Sequence, residues 1–168
     1  MKKLRVAGIV PESIVDGPGI RFVIFAQGCV HYCKGCHNPA TFDFNGGAVV
    51  EIDDLMRQIK KNPLLKGVTF SGGEPFLQAE AFAEIAKQCH SLGLDVLSYT
   101  GYTFETLLSG FDSNPAWKLL LQNIDVLIDG PFVEEQKSLL LLFRGSANQR
   151  ILNAKVSLHQ SQPVLMNV

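Results

Sequence analysis

Apolar and polar positions alternate over residues 4–10, and a second apolar run covers 21–26; both patterns predict strands, joined by the turn-rich segment 15–20. Residues 28–47 are rich in Gly, Pro, Asn and Cys without sustained periodicity, which predicts a loop organised by something other than a core. Beyond it the periods alternate. Residues 53–61 have helical composition ended by Asn62-Pro63, and 67–70 form a short apolar strand closed by Ser71-Gly72-Gly73. Phe82, Ile85, Ala86 and Cys89 keep helical spacing on one face, with Gly93 as the stop. Residues 94–99 read as a strand, 104–108 and 117–122 as short helices, and 124–128 as a strand ending at Asp129-Gly130-Pro131.

This repeated strand, loop and helix predicts an α/β fold of parallel strands with crossover helices, in which ligands gather at the carboxyl ends of the strands. Cys29 follows the first strand of the series, Ser71-Gly72-Gly73-Glu74 the second, Thr100-Gly101-Tyr102 the third and Asp129-Gly130 the fourth. The strands are too few for a complete eight-stranded barrel, so the expectation is a partial, open-sided (β/α) barrel.

Composition narrows the class. The 168 residues suit one domain, spanning 1–168, and 46% apolar with 18% charged residues is globular usage. No apolar stretch approaches the ~20 residues that span a bilayer. The basic N-terminal tip is interrupted by Pro11, Glu12 and Asp16 before a signal-peptide core forms, so a cytoplasmic protein is expected. A net charge of −1 with scattered Lys and Arg argues against nucleic acid as a partner.

Cys29, Cys33 and Cys36 are spaced C-x₃-C-x₂-C in the polar loop, a pattern of reduced, metal-gripping thiolates and not of a disulfide framework. Three thiolates close neither a tetrahedral zinc site nor a four-iron cluster by themselves. Zinc, with His31 or His37 as fourth ligand, and an iron–sulfur cluster are both open on this segment alone. At the next strand end Gly72 and Gly73 allow close approach to the backbone and Glu74 adds a carboxylate, although a plain strand-to-helix turn has the same composition. Cys89 lies on the apolar stripe and reads as core, as does Trp117 with Leu119, Leu120 and Leu121; His90 and His159 have no convergent partner in sequence and read as surface residues.

Taken together, the cysteine triplet after the first strand and Gly-Gly-Glu-Pro after the second resemble the two signatures of the radical S-adenosylmethionine (radical SAM) superfamily. The resemblance implies that Cys29, Cys33 and Cys36 hold three irons of a 4Fe–4S cluster and that S-adenosylmethionine chelates the fourth. It implies further that Gly72, Gly73 and Glu74 bind the methionine end of that cofactor, with Ser71 and Cys36 among the other cofactor-binding residues. Gly35 stands where the superfamily usually has an aromatic residue, so the adenine contact falls to Gly35 and His37. The region of Thr100 and Asp129 contributes cofactor or monovalent-cation contacts in related activases, against an ordinary turn and cap role here.

Asp16-Gly17-Pro18-Gly19-Ile20-Arg21 resembles the glycyl-radical-enzyme activases. The stretches 28–39 and 143–151, with the short chain, resemble the activators of anaerobic ribonucleotide reductase more than those of pyruvate formate-lyase, and the motif-bearing core runs over about 16–151. The family reading implies an oxidoreductase whose substrate is the reductase polypeptide and whose electron donor is a flavodoxin-like carrier. Arg144, Asn148 and Arg150 are candidates for holding a carboxylate or the partner.

Overall fold

The computed structural model describes residues 2–168. Seven strands form one mixed sheet: β1 (Lys3–Ser13), β2 (Arg21–Ala26), β3 (Ala48–Glu51), β4 (Gly67–Gly72), β5 (Asp95–Tyr99), β6 (Val126–Asp129) and β7 (Arg150–Asn153), in spatial order β3-β1-β2-β4-β5-β6-β7. The central four, β2, β4, β5 and β6, pair in parallel and so place their carboxyl ends along one edge. β1 runs antiparallel to β2, with irregular register between Val6 and Gly8 and between Val10 and Ser13. The edges β3 and β7 are also antiparallel to their neighbours.

The parallel centre follows the expectation, and two edge strands and a terminal helix add to it. β3 is four residues long and partly exposed, so its period is too brief to register as a strand. β7 lies within the stretch read only as a partner motif, and α5 (Ala154–Gln160), capped by the Asn153 side chain on the Val156 amide, follows it directly.

Helices α1 (Ile52–Lys60), α2 (Ala79–Ser91), α3 (Phe104–Ser109) and α4 (Pro115–Gln122) complete the chain. On α1 the buried positions Ile52, Leu55, Met56 and Ile59 repeat at helical spacing, with Asp53 and Asp54 in the first turn and Arg57 and Lys60 in the last, matching the helix dipole. α2 buries Phe82, Ala83, Ile85, Ala86 and Cys89. It ends in a Schellman turn: Gly93, at φ +77°, donates to the His90 carbonyl and Leu94 donates to that of Cys89.

The main core lies between the sheet and these helices, with Phe70 and Phe82 in ring contact at 4.6 Å. On the opposite face a smaller cluster of Leu97, Val126 and Ile128 is covered by Phe143, Met166 and Val168. The C-terminal segment is pinned there by Asn153 donating to the Val164 carbonyl and Met166 to that of Ile151. Among the described residues no helix is long and apolar enough to cross a membrane.

Candidate functional site

Glycines at the β4 end bring two motifs together. The Gly73 amide donates to the Ala26 carbonyl (2.7 Å) and the Glu74 amide to that of Gly28 (2.8 Å), extending the β2–β4 ladder into the start of the cysteine loop. Gly72 has φ +85°, and a Cβ there would lie 2.6 Å from the Ala26 nitrogen; a Cβ on Gly73 would collide with the Gly28 carbonyl. The two glycines are therefore required by backbone packing as well as by any ligand. The loop's far side is tied down by Gln27, whose amide donates to the carbonyls of Ala40 (3.0 Å) and Asp43 (2.6 Å).

A cavity of about 420 Å³ opens at this edge, lined by Cys29, Cys33, Cys36, His37, Ser71, Gly72, Gly73, Thr100 and Arg144 among others. Two clefts of about 580 and 470 Å³ lie elsewhere, the first beside Trp117 and the second beside Leu55, and contain none of the predicted site residues, so size alone does not locate the site. Cys29 is buried and Cys33 and Cys36 half-buried, all three as free thiols. Burial pushes the Cys29 thiol above its ordinary value, opposed by hydrogen bonds with the backbone of His31 and Tyr32 and reinforced by the nearby Glu74 and Cys33 charges. A bound cation is what would draw its proton off.

Glu74 is wholly buried. Its carboxylate accepts from the Thr100 hydroxyl (3.0 Å to each oxygen), the Gly101 amide (2.8 Å) and the Phe76 amide (3.0 Å), and meets His31 Nε2 at 2.5 Å. The Thr100 side chain also takes the Tyr102 amide, while the His31 ring stands edge-on to Tyr102, which packs against Trp117. Cysteine loop, Gly-Gly-Glu turn and β5 end are thus joined through one carboxylate.

The remaining predicted residues lie close by in different roles. Asp129 is buried, accepts from the Phe104 amide (2.7 Å), and is held by Arg150 Nε and Nη2 at 3.0 and 2.5 Å. The same guanidinium grips both Glu105 oxygens at 3.1 and 2.7 Å. Asn148 accepts from Ser146 and donates to the Pro131 carbonyl. Arg144 donates through Nη1 to the Gln149 carbonyl, and its Nε is buried without a partner. Gly35, at φ +75°, packs against Glu134, and His37 faces Phe132 at 5.1 Å.

Sequence reading missed three residues here: His31 as the partner of Glu74, and Phe132 and Tyr99 as cavity walls, the latter with its hydroxyl on the Phe143 carbonyl (2.7 Å). The position of His31 inside the cysteine loop was the available signal for the first. One expectation is corrected: His90 is not an unpartnered surface group but meets Asp125 Oδ2 at 2.8 Å, a pairing across 35 positions that no local pattern shows. Cys89 and Trp117 are packed as expected, Cys89 fully buried and Trp117 donating its indole N–H to the Phe76 carbonyl. His159 is exposed.

Among the described residues no three His, Cys, Asp or Glu side chains are drawn together around a single ion position. The three thiols instead border one shared cavity, and soft sulfur donors around such a volume fit a multi-iron cluster. Fold and site together define an iron–sulfur protein, and the chain belongs to the family described as 4Fe-4S single cluster domain, whose model matches residues 15–152. Within it, the chain is a member of the family of anaerobic ribonucleoside-triphosphate reductase-activating proteins. It is 35% identical over 158 residues to that of Haemophilus influenzae, covering 87% of this chain and 96% of the relative. It is 38% identical over 151 residues to that of Vibrio cholerae, covering 84% and 92%. A pyruvate formate-lyase-activating enzyme of Clostridium pasteurianum is 38% identical over 117 residues, covering 64% of this chain and 49% of its own length.

Proposed function

We propose that this protein is a radical SAM activase that installs a glycyl radical on an anaerobic ribonucleoside-triphosphate reductase. The observation that carries the reading is the meeting of Cys29, Cys33 and Cys36 with Ser71, Gly72 and Gly73 around one cavity at the ends of the parallel strands. In this reading the seven-stranded mixed sheet serves as a partial, open-sided barrel of the radical SAM type. Near-complete coverage of the reductase activators, against about half the length of the pyruvate formate-lyase activator, favours the reductase as target.

In this reading Cys29, Cys33 and Cys36 would hold a 4Fe–4S cluster, three thiolates for four irons, with S-adenosylmethionine bound beside it. When bound and reduced, such a cluster would supply one-electron cleavage of S-adenosylmethionine, the chemistry needed to remove a hydrogen atom from a backbone glycine of the target. The chain's own residues bind, orient and shield. The Gly72 and Gly73 backbone would receive the methionine end of the cofactor, while Glu74, enclosed behind that wall and absent from the cavity lining, holds the turn in place through His31, Thr100 and the Gly101 amide. His37 and the turn at Gly35 flank the adenine, beside Phe132. Phe25, Tyr99 and Phe132 keep water from the reacting atoms. A small flavodoxin-like carrier supplies the electron.

The test is anaerobic reconstitution with iron and sulfide, followed by reductant, S-adenosylmethionine and the reductase. The expected products are 5′-deoxyadenosine and an electron-paramagnetic-resonance doublet on the reductase. Absence of 5′-deoxyadenosine from a cluster-loaded sample overturns the enzyme reading. A doublet on pyruvate formate-lyase but not on the reductase overturns the target.

A further inference from the structure

The mouth of the cavity carries an apolar rim that neither the core nor the cofactor reading uses. Leu139 and Leu140 are 92% and 96% exposed, and Leu142 is 56% exposed. Monomeric proteins rarely leave several neighbouring large apolar side chains in water without a use for them. Residues 138–143 carry no formal charge.

These leucines are held outward. The loop is clamped at its base by a bridge between Lys137 and Ser146, by Ser138 donating to the Gly145 carbonyl (3.3 Å) and by the Gln149 side chain accepting from the Gly145 and Ser146 amides (2.9 and 3.1 Å). Phe143, in the left-handed region at φ +59°, packs on Leu97 and Val126 instead and fixes the loop from beneath. The leucines cannot follow it into the core while that clamp holds.

Their position identifies the occupant. Leu139 and Leu141 line the same cavity as the three cysteines, and Val15, itself 72% exposed, lines it as well. An apolar wall therefore stands on the approach to the cluster site. The reaction proposed above requires a backbone glycine of another protein to reach that cavity, so a stretch of that protein's chain must cross this wall. Neutral leucines suit a segment recognised by its backbone and small apolar side chains.

We propose that the leucine rim at residues 139–142, with Val15, is the docking surface for the glycine-bearing segment of the target enzyme. The inference rests on the activase reading, and its test separates the two. Leu140 and Leu142 do not line the cavity, so Leu140→Ser with Leu142→Ser leaves the cofactor site untouched. In reconstituted enzyme the double variant should form 5′-deoxyadenosine without the reductase at the wild-type rate. Its apparent KM for the reductase, followed by the glycyl-radical doublet, should rise roughly tenfold or more, as expected when two apolar side chains are lost from a contact surface.

An unchanged KM overturns the docking surface. If wild-type enzyme makes no 5′-deoxyadenosine, the activase reading fails first. If the double variant changes the protein's own sedimentation while binding the reductase normally, the rim is a contact between copies of this chain and the proposal is overturned.

Discussion

His31 Nε2 lies 2.5 Å from Glu74 Oε2, joining the cysteine loop to the Gly-Gly-Glu turn across 43 positions. The carboxylate at the centre is fully enclosed and its other acceptor sites are taken by the Thr100 hydroxyl and two backbone amides. Truncating it strands those donors in a dry site. Glu74→Ala should therefore destabilise the cluster-free protein by roughly 3 kcal/mol in urea titrations, near the upper end for a buried group left unpaired. His31→Ala removes one partner that is itself partly exposed and should cost about 1 kcal/mol. Equal losses would show that the buried carboxylate is not the hub of this network.

The four cysteines divide by environment. Cys89 is sealed among Phe82, Ile85 and Ala86, and burial pushes its thiol up to about 12, so it stays protonated and apolar. Cys89→Ala should leave iron content per chain unchanged and cost about 1–2 kcal/mol of stability, the loss of one small buried group. Cys33→Ala, in the cavity wall, should abolish 5′-deoxyadenosine formation with little change in the stability of the cluster-free protein. Iron loss in the Cys89 variant would contradict the three-ligand assignment.

Local pattern was enough for the parallel centre of the sheet, because each of β2, β4, β5 and β6 is an apolar run bounded by turn residues. It was enough, too, for the collection of Cys29, Gly72, Gly73 and Thr100 at one edge, since strand ends follow from strand assignment. What escaped was non-local. β3 and β7 owe their pairing to neighbours distant in the chain, and neither has a long apolar period of its own. The same holds for His31 with Glu74 and His90 with Asp125. The leucines at 139–142 form an apolar run in sequence, yet the clamp around Ser146 holds three of them in water, which also depends on contacts outside the run.

Asp129 already carries its counter-ion. The Arg150 guanidinium lies against both carboxylate oxygens, and the hydrogen bonds it donates to Asp129 and Glu105 hold its pKa above the ordinary arginine value. A monovalent cation is thus not needed to neutralise this buried charge. Exchanging potassium for sodium or choline should leave S-adenosylmethionine affinity of the wild-type enzyme unchanged. Arg150→Ala strands a buried carboxylate and should cost about 3 kcal/mol of stability at neutral pH. Arg150→Lys should recover part of this, because an ammonium group restores the charge without the paired geometry. A potassium requirement in the wild type would contradict this view of Asp129.

A second buried-edge pair makes stability depend on acid. Burial works to raise the Asp125 carboxyl, but hydrogen bonds from His90, Lys155 and the Val96 amide outweigh it and hold the pKa below its ordinary 3.8. The folded state therefore binds this proton more weakly than the unfolded chain does. The resulting stabilisation is fully present above the unfolded value near 3.8 and is lost as pH falls through the lower folded value. In cluster-free protein, the margin by which wild type exceeds Asp125→Asn in urea stability should shrink steadily as pH falls below about 4. A margin that grows on acidification would mean that burial, and not the His90 and Lys155 contacts, controls this carboxyl.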